Sequence, residues 1–238
     1  MSGRGRAAKS STLADCSQSG TEGRSFFERQ PMNKPNDISH ATLVLASASP
    51  RRKELLDLLG LCFRQVPSSI DETLLDGEAP EDHVQRLARD KAYDVARQVP
   101  GFWVIGADTI VVLGDRILGK PRDRDDARAM VSLLVGQTHR VYTGYALTHS
   151  RFPQKERVRC VCSEVTMRHL SAEEIDGYVN SGEPMDKAGA YAIQGIGAAI
   201  VSSVSGSYTN VVGLPLCQVA GDLQDLGIFD FLRRDRQP

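Results

Sequence analysis

The chain has 238 residues, 41% of them hydrophobic and 25% charged, with a formal net charge of −1. That is the composition of a globular protein with length to spare for a core, and it excludes a disordered or fibrous chain. The near-neutral charge argues against broad electrostatic binding of nucleic acid, and no apolar run approaches the roughly 20 residues needed to cross a bilayer.

Residues 1–40 carry Ser, Thr, Gln and Gly without periodicity and are expected to form a flexible extension. Asp15, Glu22, Glu28 and Asp37 interrupt the acid-poor pattern of a transit peptide. Residues 41–228 are expected to hold the folded domain, and 229–238 a tail. The five cysteines are odd in number and scattered, which fits reduced thiols and a cytoplasmic location.

The folded part opens on Leu43-Val-Leu-Ala-Ser-Ala-Ser-Pro-Arg-Arg-Lys-Glu-Leu-Leu-Asp-Leu-Leu-Gly60. Residues 42–45 predict a strand. Ser49 suits a helix N-cap and Pro50 the first helical position, where a missing N–H costs nothing. Leu55, Leu58 and Leu59 predict one apolar stripe, and Gly60 a left-handed end. Arg51 and Arg52 therefore leave the first turn of a helix, where backbone N–H groups and the dipole favour an anion. The residues alone leave two readings open, solvated arginines or a phosphate or carboxylate site.

Residues 63–66 predict a second strand, and Pro80 opens a helix to about residue 98. Its apolar face is Val84, Leu87, Ala88, Ala92 and Val95, and Lys91 falls within that face. Such a lysine either snorkels to the edge or points into an anion-binding cleft. Residues 102–105 and 109–113 predict two apolar strands, with 114–115 as a hairpin turn before 116–118. Residues 125–134 predict a helix ending at Gly136, and 140–148 with 157–167 a longer hairpin. Cys160 and Cys162 share one face there, but no second pair stands at zinc spacing, and no histidine spacing suggests a ligand set or triad. Ser171 and Glu174 form a capping box for a short helix. Residues 198–204 predict a strand and 212 to about 226 a closing helix. Hairpins mixed with helical crossovers imply an α/β fold with a mixed sheet and flanking helices.

Polar residues fall in conspicuous places on that scaffold. Asp108 stands at the junction of two apolar strands, where a carboxylate is costly unless it binds a partner, so a metal ligand or general base is favoured. Lys120 lies in a Gly-Lys-Pro loop, and Asp71-Glu72 in the loop leaving the second strand; each is ordinarily solvated. Together Arg51, Arg52, Lys91 and Lys120 with Glu72 and Asp108 are the ingredients of a magnesium-dependent phosphoryl or nucleotidyl hydrolase. Neither a Walker loop nor Gly-x-Gly-x-x-Gly is present.

At Ser47-Ala-Ser-Pro-Arg-Arg52, Gly106-Ala-Asp-Thr109, Gly119-Lys-Pro-Arg-Asp123, Tyr142-Thr-Gly144, Glu183-Pro-Met-Asp-Lys-Ala-Gly-Ala-Tyr-Ala-Ile-Gln-Gly195 and Asn210-Val-Val-Gly-Leu-Pro-Leu216 the sequence resembles the Maf, or septum-formation-like, nucleoside triphosphate pyrophosphatases. Six ordered segments are far more specific than one motif. The resemblance implies an elongated mixed α/β fold of two lobes around a nucleotide cleft, often dimeric. It implies hydrolysis of a nucleoside triphosphate to monophosphate and pyrophosphate with a divalent cation, Mg²⁺ or Mn²⁺. By the same resemblance Asp108 is the water-activating carboxylate, Glu72 helps hold the cation, and Lys91, Lys120 and Arg52 line the triphosphate site beside Ser47.

Arg51, Thr109 and Gln194 match the branch that acts on dTTP and UTP. The branch acting on 7-methyl-GTP places Trp after the Ser-Pro, Gln after the catalytic Asp and Glu near the glycine matching Gly195. The chemistry agrees, since Gln194 offers an acceptor and a donor to the N3–H and O4 edge of uracil or thymine. Two alternatives remain at this point: a pyrophosphatase for 7-methyl-GTP or other modified nucleotides, and a nucleotide-binding regulator of cell division with little turnover.

Overall fold

The computed structural model describes residues 42–231. The extension expected over residues 1–40 and most of the tail expected over 229–238 lie outside the described residues.

Chain order begins with β1 (Leu43–Leu45), α1 (Pro50–Asp57), β2 (Phe63–Gln65), α2 (Pro80–Gln98), β3 (Trp103–Leu113) and β4 (Arg116–Leu118). It continues through α3 (Arg124–Leu134), β5 (Thr138–His149), β6 (Arg157–Met167), α4 (Ala172–Asn180), β7 (Val201–Ser205), α5 (Tyr208–Val212) and α6 (Leu216–Asp225). One mixed sheet runs β2-β1-β3-β5-β6-β7, and β4 pairs with β3. The β1–β2 and β1–β3 pairs are parallel, as helical crossovers require, and the remaining pairs are antiparallel. The expected mixed α/β sheet with flanking helices is what the chain forms.

Alternation along the strands assigns the faces. Leu43, Leu45, Ile105 and Ala107 pack with α1 and α6, while Val44, Ala46 and Val104 pack with Ala88, Ala92 and Val95 of α2. A third cluster joins β3, β5 and β6 to α3 and α4 through Val111, Val131, Leu134, Val141, Val165 and Tyr178. Buried His139 belongs to this core: burial holds its pKa down at about 4, and its Nε2 lies 2.7 Å from the Tyr191 hydroxyl. The Ser171–Glu174 capping box is present at α4, Gly60 takes the left-handed conformation expected of it, and Gly136, after the end of α3, takes it too.

Five expectations are corrected. The stripe in α1 buries Leu55 and Leu56, while Leu58 is 62% exposed, because the helix ends at Asp57 and Leu58 is already its C-cap. Ser49 does occupy the N-cap position, but its side chain makes no capping bond. Residues 102–105 and 109–113 are one strand, β3, so Asp108 lies inside a strand and not at a junction. The closing helix is two helices separated at Gly213-Leu-Pro215, and the strand expected over 198–204 starts only at Val201, after a 3-10 turn at Gly195–Ala199. No helix among the described residues is long and apolar enough to cross a membrane.

Candidate active site

Strand pairing creates the site. β5 runs along one edge of β3 from Trp103 to Val112. On the other edge β1 pairs only as far as Ile105, and β4 pairs only from Val111. Residues 106–110 of β3 are left without a strand on that edge among the described residues. The gap opens at the carboxyl ends of parallel β1 and β2, where open α/β sheets bind ligands. A cavity of about 570 Å³ fills it, within the range of small-molecule sites. It lies where the three core clusters meet, and Ala46, Val111 and Val212 from those clusters all line it. Ser47, Arg51, Arg52, Glu72, Lys91, Asp108, Thr109, Lys120 and Gln194, the nine residues singled out from the sequence, line it as well.

Alternation puts Asp108 on the α2 face of β3 and Thr109 on the opposite face, beside α1. The α2 backbone comes in close because Gly106 has no side chain. A Cβ there would stand 2.2 Å from the Ala88 carbonyl oxygen and 2.7 Å from Ala92 N. Lys91, left open between snorkelling and a cleft, points into the cavity. Its Nζ donates to Asp108 Oδ1 at 2.8 Å and pairs with Glu72 Oε2 at 2.9 Å. Lys91 and Asp108 are buried, whereas the Glu72 side chain is exposed at the mouth. Its loop is shaped by Asp71, which accepts from the Thr73 N–H and hydroxyl. Among the described residues Asp108 Oδ2 has no hydrogen-bond or ion-pair partner.

Arg52 is fixed from three sides. Nε donates to the Gly213 carbonyl at 2.9 Å, Nη1 to Ser47 Oγ at 3.2 Å and Nη2 to Thr109 Oγ1 at 3.0 Å. Thr109 Oγ1 lies 3.0 Å from Thr143 Oγ1, whose hydroxyl donates to the Asn210 carbonyl at 2.9 Å. Gln65 Nε2 donates to the Ser47 carbonyl and so holds the loop after β1. The partners of Arg52 are all neutral oxygens. Burial lowers its pKa, while attraction from Asp108 and Glu72 works against the shift. Lys120 is exposed at the rim and has no ion-pair partner among the described residues. Arg52 and Lys120 thus leave positive charge uncompensated by a contacting carboxylate, which suits a polyanion.

Arg51 turns the other way and pairs with Asp186 at 2.9 Å. The residues alone left solvation and an anion site open for Arg51, and among the described residues its partner is a carboxylate. Although partial burial opposes it, hydrogen bonds from Lys187 and Arg51 hold Asp186 down at about 2. Gln194 is half-buried and makes no hydrogen bond within the described residues. It occupies the N-cap position of the 3-10 turn Gly195–Ala199 without a side-chain capping bond. That turn is held by Glu183, which accepts from the Ile196 N–H at 2.9 Å and the Gly197 N–H at 2.8 Å. Gly195 has φ of 69°, and a Cβ there would come 2.3 Å from Glu183 Oε2.

Residues 42–226 match the family described as Maf-like protein. The chain belongs to this family. The dTTP/UTP pyrophosphatase of Myxococcus xanthus (strain DK1622) is 53% identical over 186 residues, covering 78% of this chain and 93% of that protein. Syntrophotalea carbinolica has a protein of the same description, 49% identical over 208 residues, 87% of this chain and 94% of that one. The Syntrophus aciditrophicus protein, also described so, is 48% identical over 189 residues, with 79% and 92% covered.

In this Maf-like chain the sequence reading passed over four residues that shape the cavity. Asp186 and Lys187 lie in the segment 183–195 that carried the resemblance, but nothing local shows that Arg51 is their partner. Glu183 supports the Gln194 turn from 11 residues before it, a link visible only in three dimensions. His83 lines the cavity together with Leu87 and Lys91. Its spacing of four and eight residues from them on a helix was a usable signal.

Proposed function

We propose that this protein is a nucleoside triphosphate pyrophosphatase that hydrolyses dTTP and UTP to the monophosphate and pyrophosphate. One observation carries the reading: a buried Asp108–Lys91 pair with Glu72 at its mouth opens into the same cavity as Arg52 and Lys120. A binding module has no need of a carboxylate with a vacant oxygen facing a polyanion site. The relatives at about 50% identity over most of both chains, described as dTTP/UTP pyrophosphatases, support the same substrate choice.

In this account Arg52, Lys91 and Lys120 hold the triphosphate by charge-assisted hydrogen bonds. Asp108 Oδ1 is occupied by Lys91, which leaves Oδ2 to accept a proton from the attacking water. The water oxygen bonds to the α-phosphorus, and the bond from that phosphorus to the α–β bridging oxygen breaks. Pyrophosphate then leaves with the bridging oxygen. Lys120 and Arg52 favour this step because negative charge gathers on the leaving group.

The residues also fit a divalent cation of the Mg²⁺ or Mn²⁺ type. Two carboxylates converge, each with one oxygen not engaged by Lys91, and no cluster of three or more His, Cys, Asp or Glu ligands exists among the described residues. One or two carboxylates completed by phosphate oxygens and water is the set magnesium prefers. Asp108 and Glu72 would hold it, and the ion would supply charge neutralisation at the phosphate oxygens.

Substrate choice falls to Gln194 and Arg51. Uracil and thymine present N3–H and O4, which match the acceptor and donor of the Gln194 amide, whereas CTP reverses that order. A site built on such bonds rejects a mismatched base because its own polar groups are left unpaired. UTP and dTTP should therefore exceed CTP in kcat/KM. Gln194→Glu should lower UTP and dTTP hydrolysis by about tenfold, since an ionised carboxylate faces O4 without a proton to share. Pyrophosphate release over canonical and modified triphosphates measures both effects. Equal rates on UTP and CTP, unchanged in the variant, would overturn the assignment of Gln194.

A further inference from the structure

The proposed mechanism uses α2 only at Lys91, yet the same helix face presents a second polar group to the cavity. His83 precedes Lys91 by two turns, about 12 Å along the helix axis. The residue is 5% exposed and lines the cavity. Its Nδ1 stands 2.8 Å from Glu78 Oε2. Glu78 also accepts from Arg86 Nε at 2.5 Å and Nη2 at 2.7 Å. The Arg86 bonds, with help from His83 and against partial burial, hold the Glu78 carboxyl at about 2. Glu78 is therefore an acceptor only, and Nδ1 must carry the hydrogen of that bond. The remaining nitrogen, Nε2, has no partner among the described residues.

The position along β3 says which part of a ligand Nε2 meets. Lys91 faces Asp108. Val84, the neighbour of His83, packs instead against Ile110 and Val112, further along the strand. Lys120 follows β4, whose Leu118 pairs with Val111. His83 and Lys120 both line the cavity, one from the helix and one from the strand side. His83 lies two helical turns from the Lys91 that holds Asp108, where the proposed water attack takes place.

We propose that His83 is a further substrate-contacting residue, whose Nε2–H donates to an oxygen of the β- or γ-phosphate opposite Lys120. Because Nδ1–H is committed to Glu78, a bond donated by Nε2–H requires the imidazolium form of the ring. Glu78, beside the ring, and the bound phosphates favour that charge. Arg86, whose Nη2 lies 3.3 Å from Nδ1, opposes it, as does Lys120 across the cavity. Lys91 is neutralised locally by Asp108 and Glu72. A carboxylate-held histidine tolerates the added charge because its counter-ion is already in place. The inference rests on the triphosphate reading given above.

Inorganic tripolyphosphate tests it without a base and without turnover. Calorimetric titration with Mg²⁺ reads affinity for the wild type and His83→Gln. The variant should bind roughly tenfold more weakly, the loss of one charge-assisted bond. With UTP the variant should raise KM by a similar factor and change kcat less. In wild-type protein with tripolyphosphate bound, the His83 Nε2 nitrogen-15 resonance should be that of a protonated nitrogen, a readout independent of how the variant folds. Equal affinity in both proteins, with Nε2 unprotonated in the complex, would overturn the proposal and leave His83 a structural partner of Glu78. Weakened binding of uridine with tripolyphosphate unaffected would overturn it too, by placing the ring at the nucleoside. Failure of the wild type to hydrolyse UTP would sink the proposed function while leaving these binding results interpretable.

Discussion

Asp108→Asn is expected to lower kcat for UTP and dTTP by at least about 10²-fold, the lower end of what a general base contributes. The asparagine oxygen can still accept the Lys91 bond now made to Oδ1 at 2.8 Å, so the local geometry should persist. Binding should survive as well. The variant keeps the size of the side chain and removes a negative charge from a site that receives a polyanion. The expected pattern is a large fall in kcat with unchanged or tighter UTP binding, read by single-turnover pyrophosphate release beside a binding isotherm. Near-normal turnover would remove Asp108 from the reaction.

Lys91→Met carries the second large effect, on stability as well as rate. Among the described residues Lys91 Nζ is the sole cation paired with buried Asp108, and it also holds Glu72. Removing one partner of a buried pair leaves the other charge desolvated, at a cost of about 3 kcal/mol. Methionine fills much the same volume, so the loss reports charge and not packing. In urea unfolding the double variant Lys91→Met/Asp108→Asn should recover most of the loss suffered by Lys91→Met alone. That non-additivity is the mark of direct coupling. Additive effects would mean that the pair is not what stabilises the site. Both Lys91 variants should lose activity, since the triphosphate loses a cation.

Much of this was legible along the chain, and the limits have physical causes. Short-range patterns fixed the elements wherever caps, turns and periodicity agreed, as at the Ser171–Glu174 box and the Gly114 turn. They failed at Gly106-Ala-Asp108, where glycine and aspartate disfavour a strand by propensity. There the close approach of α2 to Gly106 decides the matter, because the same position must be bare of a side chain to admit the helix. They failed again at Leu58, where a stripe was carried past the end of a two-turn helix. The site residues were readable as types: cations and carboxylates at odds with their local setting. Their partners were not, because Arg52 meets Gly213 from 161 residues away and Arg51 meets Asp186 from 135. Such pairings depend on how the sheet is ordered, which no local window contains. His83 was passed over because its carboxylate, Glu78, sits in the preceding loop and gives no ligand-like spacing.

The central claim is that water attacks the α-phosphorus of UTP or dTTP, with pyrophosphate as the leaving group. Hydrolysis in water enriched in oxygen-18, with both products examined by mass spectrometry, tests this most directly. The account predicts one heavy oxygen in each monophosphate and none in pyrophosphate. Label in the pyrophosphate, or release of inorganic phosphate in place of pyrophosphate, would contradict it.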